Sequence, residues 1–200
     1  LCKRTILLSH GKIIDSGITD DVMQKYLGGI YNDRTRQEWD LDEAPGSKEV
    51  KLIKAEVRQI EPNVPVIRPG DSFEFEFVFY LMLEEETNIN VTFHLNDEYE
   101  NLVFIGSTAL TNIPYTAGTG YLKTICRIPS DLLNGGTYSV TKLFVLKGVS
   151  DLIYEHNEIL SFEITNNYAH AHGKIGKIDG LLKPKLHWEV VANVESEIML

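Results

Sequence analysis

Basic residues are missing from a long central part of this sequence. Between Pro69 and Leu122 there is no lysine or arginine, yet nine acids occur: Asp71, Glu74, Glu76, Glu84, Glu85, Glu86, Asp97, Glu98 and Glu100. Over the whole chain 29 acidic residues outnumber 19 basic ones, giving a formal charge of -10. Phosphate backbones are bound by Lys and Arg that displace counterions, so nucleic acid is not an expected partner. Anionic lipid would repel the same stretch. Cysteine is nearly absent as well. Cys2 and Cys126 are too few and too far apart for a disulfide framework or a zinc site, which fits a reducing compartment. Long apolar runs are lacking: none approaches the roughly 20 residues a membrane helix needs. No apolar stretch follows Leu1-Cys2-Lys3-Arg4, so no signal peptide is expected there. What remains is 200 residues, 43% hydrophobic, enough to bury a substantial core.

Residues 1–28 differ from the rest. Arg4-Thr5-Ile6-Leu7-Leu8 and Lys12-Ile13-Ile14-Asp15 flank Ser9-His10-Gly11, the pattern of a hairpin. Thr19, Asp20 and Asp21 precede Val22, Met23, Tyr26 and Leu27, the spacing of a short capped amphipathic helix ended by Gly28-Gly29. A hairpin and one such helix cannot make a core alone, so this segment is expected to end a domain lying upstream. Residues 29–48 carry Glu38, Asp40, Asp42, Glu43 and Pro45-Gly46 without an apolar period and read as a linker.

From residue 49 to 166, β-rich runs recur between turn signals: Val50 to Ile60, Ser72 to Leu83, Ile89 to Asn96, Leu102 to Ser107, Tyr121 to Ile128, Thr137 to Leu146 and Ile159 to Ile164. Short strands without long helices predict an all-β, antiparallel β-sandwich of immunoglobulin-like or jelly-roll type. The clearest alternation sets Phe73, Phe75, Phe77 and Phe79 against Glu74, Glu76, Val78 and Tyr80, one aromatic core face and one mostly polar face. In the next strand Ile89, Val91, Phe93 and Leu95 point inward, leaving Asn90, Thr92, His94 and Asn96 on a face suited to hydroxyl groups. Residues 167–200 form a tail whose run Leu186-His187-Trp188-Glu189-Val190 can be a last strand, donated to a partner.

Enzyme signatures are absent. There is no Gly-x-x-x-x-Gly-Lys-Ser/Thr phosphate loop, Gly-x-Ser-x-Gly elbow or His-Glu-x-x-His. Ser9-His10-Gly11 reads as a turn rather than a nucleophile and base, because no orienting acid accompanies it. His170 and His172 lack a third ligand at a matching offset. Glu84-Glu85-Glu86 reads as a solvated strand end rather than a calcium loop. Tyr80, Tyr99, Tyr115, Tyr121, Tyr154 and Trp188 are not consumed by a strict core pattern, and such rings can offer sugars an apolar face.

The N-terminal run Leu1 to Leu8, with Gly11-Lys12-Ile13, Gly17, Asp21-Val22 and Tyr26-Leu27, resembles the final hairpin and helix of an ABC-transporter ATPase domain. The sandwich, with its Arg68-Pro69-Gly70-Asp71 turn, its Gly135-Gly136-Thr137-Tyr138-Ser139-Val140 strand entry and the Lys183-Pro184 to Trp188 segment, resembles the C-terminal domain of Wzt-type ATPases. The resemblance implies non-catalytic recognition of a lipid-linked, O-antigen-type polysaccharide for export. It also implies a homodimer, an integral-membrane permease partner and a cytoplasmic place at the inner-membrane face. The nucleotide motifs lie upstream in that family, so no cofactor is expected in this fragment, ATP and Mg belonging to the parent protein. His10 is then distinct from the ATPase switch histidine. As candidate sugar contacts, alternation gives Thr92, His94 and Asn96 from one strand and Tyr121, Lys123 and Arg127 from another, taken together as one shallow surface. The competing expectation is a structural module that dimerises the ATPase or contacts a protein through its last strand.

Overall fold

A computed structural model describes residues 3–9, 12–19, 22, 34–60, 67, 71–111, 115–130, 132–164, 180 and 182. The Ser9-His10-Gly11 turn and the expected helix are only partly among them. The Arg68-Pro69-Gly70 turn, His170, His172, Trp188 and the tail strand from Leu186 lie outside.

Strands β1 (Arg4–Ser9) and β2 (Lys12–Ile18) pair antiparallel, the hairpin expected of the N-terminal segment. The remaining strands are β3 (Arg36–Glu38), β4 (Val50–Gln59), β5 (Phe73–Leu81), β6 (Thr87–Asp97), β7 (Leu102–Ser107), β8 (Thr116–Ala117), β9 (Gly120–Ile128), β10 (Gly136–Lys147) and β11 (Asp151–Ile164). They build two antiparallel sheets. One runs β11-β10-β6-β7, with β8 pairing the start of β6; the other runs β3-β4-β5-β9. Every strand run read between residues 49 and 166 is present, and the architecture is an all-β sandwich. The chain changes sheets between β5 and β6, between β7 and β9 and between β9 and β10.

Alternation explains how the sheets meet. Phe73, Phe75, Phe77 and Phe79 of β5 are at most 2% exposed and pack against inward residues of the other sheet. Phe75 lies 5.0 Å from Phe93 between ring centroids, Phe77 lies 5.7 Å from Phe93, and Phe73 lies 5.5 Å from Phe162. Burying each ring contributes on the order of 2–3 kcal/mol, so this stripe organises the core. Tyr154, read as an aromatic outside the core pattern, is buried, and its phenol is pushed far above its ordinary pKa by desolvation. The Glu84-Glu85-Glu86 run is solvent-exposed beyond the end of β5.

Two differences from the sequence reading bear on function. Strand β11 begins at Asp151, eight residues before the expected Ile159. Residues 34–48, read as linker, are partly built into the sandwich. Arg34 bridges Ser161 of β11, Arg36, Gln37 and Glu38 pair with β4, and Trp39 packs against the core. The Gln37 amide donates to the Ile159 carbonyl, and the Trp39 N–H donates to the Ile53 carbonyl at 2.9 Å. These residues form a strap joining β11 of one sheet to β4 of the other. Their polar sequence hides this role, because the strap is held by backbone and side-chain hydrogen bonds rather than by an apolar stripe.

Candidate functional site

The outer face of the β11-β10-β6-β7 sheet is where backbone irregularity and polar side chains coincide. Between Val140 and Lys142 the register of β10 shifts against both neighbours. Against β6, Thr141 is an extra residue opposed by none. Against β11, the single residue Thr141 faces the two residues Glu158 and Ile159. Such a bulge re-aims side chains: Val140 and Leu143 stay fully buried while Thr141 and Lys142 both face outward. The Thr141 hydroxyl donates to Asn96 Oδ1 at 2.7 Å, and Asn96 Nδ2 donates to the Glu100 carbonyl at 2.8 Å.

The β6–β7 turn forms the neighbouring wall. Asp97, 4% exposed, accepts from the Tyr99 N–H at 2.9 Å, the Asn101 N–H at 2.8 Å and Asn101 Nδ2 at 2.9 Å. This clamp holds Glu100 at φ 63°. Glu158, in the β11 bulge, has φ 53°. Among the described residues these two are the non-glycine residues with positive φ, each at a cost of about 1 kcal/mol. Both line one cleft of about 470 Å³, together with Asn96, Ser139, Thr141, Lys142, Asn157, Leu160, Ser161 and Arg34. The cleft is thus floored by hydroxyls and amides, walled by two strained glutamates and closed at one end by the strap.

Next to the cleft on the same face, His94 meets Phe144 edge-on at 5.4 Å, and Lys142 Nζ sits 5.8 Å from the Phe144 ring centre. Burial, and then the nearby Lys142 charge, lower the His94 pKa, so its ring is neutral near pH 7. Lys142 also pairs with Glu155 at 3.8 Å. The patch therefore offers the apolar His94–Phe144 edge, with the Lys142 cation beside it, next to a polar hollow.

The six sequence candidates do not make one surface. Thr92, His94 and Asn96 share the outer face of β6, with Asn96 in the cleft, His94 beside it, and Thr92 further along, its hydroxyl 2.7 Å from that of Ser107. Tyr121, Lys123 and Arg127 lie on β9, on the outer face of the other sheet. The two outer faces point in opposite directions because the phenylalanine core lies between them. There Lys123 pairs with Glu76 at 2.6 Å, Arg127 Nε with Glu74 at 3.4 Å, and Tyr121 packs edge-on to Tyr80 at 5.0 Å. Glu74 and Glu76 are 6% and 3% exposed although they face outward, since long cationic side chains cover them. The mostly polar face read from the sequence is an ion-pair lattice. Residues not foreseen are Arg34, Ser139, Thr141, Lys142, Asn157 and Ser161. The polar pair Asn157-Glu158 within an otherwise β-rich stretch was the available signal for a bulge.

No family model and no curated protein matches the sequence. Among solved structures, the C-terminal domain of Wzt superposes with a TM-score of 0.59 at 12% identity, over 78% of this chain and 93% of that one. The fold is that of the Wzt C-terminal domain. A structural-genomics target, SoR45, aligns at TM-score 0.35 and 9% identity over 64% of this chain and 98% of its own. No helix among the described residues is long and apolar enough to cross a membrane.

Proposed function

We propose that this chain is a non-catalytic glycan reader, the C-terminal part of the ATP-binding subunit of a polysaccharide ABC exporter, and that it recognises a lipid-linked polysaccharide of O-antigen type. The observation that carries this reading is a cleft of hydroxyl and amide side chains on the outer sheet of a Wzt-type sandwich. Sugar hydroxyls need such donors and acceptors, and the adjacent His94–Phe144 edge supplies an apolar surface for a pyranose ring. Asn96, His94 and Thr92 belong to this site in the proposal. Tyr121, Lys123 and Arg127 would serve only as a separate contact on the far face. In this reading residues 1–28 end the ATPase domain, ATP and magnesium are handled upstream, and the exporter works as a homodimer with a permease at the cytoplasmic side of the inner membrane. Two tethered sites then give avidity, so modest affinity per site is enough.

The test is calorimetry with the delipidated O-polysaccharide of the source strain, with dextran as the unrelated polymer. Selective binding is expected, changing little between about 50 and 300 mM salt because hydrogen bonds and stacking rather than charge dominate. Asn157→Ala, at an exposed cleft position, is expected to weaken it about tenfold or more. A folded protein that binds neither polymer overturns the proposal.

One observation favours a second reading, a protein-contact module. Strand β7 pairs only with β6 among the described residues, carries no charged residue from Leu102 to Ser107, and exposes Leu102 and Ile105 by 50% and 43%. Free edges are normally guarded by charge or proline. That reading predicts a dimer in light scattering that Ile105→Lys dissociates, with no glycan affinity.

A further inference from the structure

The cleft is not made by the sandwich strands alone. Arg34, at the start of the strap, lines it from one end. Its backbone is fixed: the Arg34 N–H donates to Ser161 Oγ at 3.3 Å, and the Ser161 N–H donates to the Arg34 carbonyl at 3.2 Å. One residue on, the Thr35 carbonyl accepts from the Val57 N–H at 2.8 Å. The guanidinium, in contrast, is exposed and has no ion-pair partner among the described residues. The other arginines of the strap and of β4 behave differently. Arg36 pairs with Glu38 and Glu56, and Arg58 pairs with Glu56, Glu74 and Glu76. Lys142, the other cation of the cleft, is paired with Glu155. An arginine held by its main chain at a polar hollow, with its guanidinium N–H donors unspent among the described residues, is arranged to bind oxygen atoms that enter the hollow.

We infer that Arg34 is a ligand-gripping residue of the cleft, donating its guanidinium fork to paired oxygens of the bound saccharide, and that it thereby couples occupancy of the cleft to the segment leading back to residues 1–28. The inference rests on the reading of the cleft as a glycan site. The coupling follows from connectivity. Arg34 is joined to β11 through Ser161 and, through Arg36, Gln37 and Glu38, to β4. A ligand that holds the guanidinium and the Asn96–Thr141–Asn157 floor together ties the strap to the sandwich. Opening of the strap then requires ligand release, and the N-terminal segment is held at a defined point on the sandwich while glycan is bound.

The test uses the full 200-residue chain and the delipidated O-polysaccharide of the source strain. Arg34→Ala, Arg34→Lys and Asn157→Ala are compared by calorimetry, and amide hydrogen exchange of residues 34–39 is followed with and without the polysaccharide. Arg34→Ala is expected to weaken binding about tenfold or more at an unchanged melting temperature, and Arg34→Lys to restore part of the loss, since a point charge replaces a fork. Exchange at Arg34 and Gln37 is expected to slow on binding in the parent and not in Arg34→Ala. If Arg34→Ala binds like the parent while Asn157→Ala loses binding, the cleft reading stands and the role of Arg34 is refuted. If selective binding survives both substitutions, the cleft itself is the wrong site and the inference falls with it. If the parent protein binds no polysaccharide, the functional reading and this inference both fail.

Discussion

Gly106→Ala is expected to destabilise the sandwich by about 2 kcal/mol, although alanine is the mildest substitution available. Gly106 is opposite Phe93 in the β6–β7 ladder and faces inward. A Cβ there would lie 2.3 Å and 2.5 Å from two atoms of the Phe93 ring, far inside contact distance. The ring cannot swing away cheaply. Phe93 is 3% exposed and is bounded by Phe75 at 5.0 Å, Phe77 at 5.7 Å and Phe104 at 6.0 Å. Alanine would also restrict the unfolded chain, a gain of about 0.4–1 kcal/mol, so a net loss can come only from steric conflict. A narrow slot of about 110 Å³ between β7 and β9, lined by Gly106, Phe93 and Cys126, gives limited room for relaxation. Urea unfolding of the parent, Gly106→Ala, Phe93→Leu and the double variant measures the effect. The alanine should cost clearly less in the Phe93→Leu background, the coupling expected of residues in contact. If Gly106→Ala is as stable as the parent, the ring yields and this account of the packing is wrong.

That glycine also marks the limit of what alternation reveals. Phe73 to Phe79 and Ile89 to Leu95 disclose their buried faces because an unbroken period of two is visible in the residues themselves. The neighbour of each strand is not visible. Thr92, His94 and Asn96 look equivalent to Tyr121, Lys123 and Arg127 in sequence, yet a layer of phenylalanine rings separates them. The cleft was harder still. It depends on Thr141 and Glu158 interrupting the period, so the rule that found the strands moves their neighbours to the wrong face or, as with residues 151–158, misses the strand. Arg34 escaped for another reason: it belongs to a polar strap whose order comes from hydrogen bonds to Ser161, Ile159 and β4, which leave no hydrophobic pattern. Asn96 was identified because its strand is regular and its side chain faces outward.

Acidification should destabilise this protein in two stages, and the second is the larger. His156 is half-buried, 3.1 Å from the Tyr154 hydroxyl and 6.4 Å from the Trp39 ring, and desolvation lowers its pKa. A base with a lowered folded-state pKa binds protons in the unfolded chain first. The stability it contributes is therefore full above about pH 6.5 and falls as pH drops below that value. The second stage comes from the outer face of the β3-β4-β5-β9 sheet. Glu74 is lowered chiefly by its hydrogen bond from Arg58. For Glu76 burial acts upward, but hydrogen bonds from Lys123 and Lys54 outweigh it, leaving a net lowering. Carboxylates of this kind contribute stability that is present above their unfolded pKa, about 4.3, and is lost as pH falls through the folded value. Protonating Glu76 leaves Lys54, Arg58 and Lys123 facing one another across a carboxyl that was 3.0, 3.3 and 2.6 Å from them. Glu76→Gln imitates that state at neutral pH. Its expected cost is about 1–3 kcal/mol, below the figure for a fully buried pair because Lys123 is half exposed and solvent screens part of the repulsion. Urea midpoints recorded from pH 8 to pH 3 should decline gently below about 6.5 and steeply below about 4.5 in the parent. His156→Gln should reduce the first decline, the remainder coming from His94, and Glu76→Gln should start lower and flatten the second. A parent profile that stays level down to pH 3 would mean that the lattice contributes nothing net and that Glu74 and Glu76 are held in place only by the sheet beneath them.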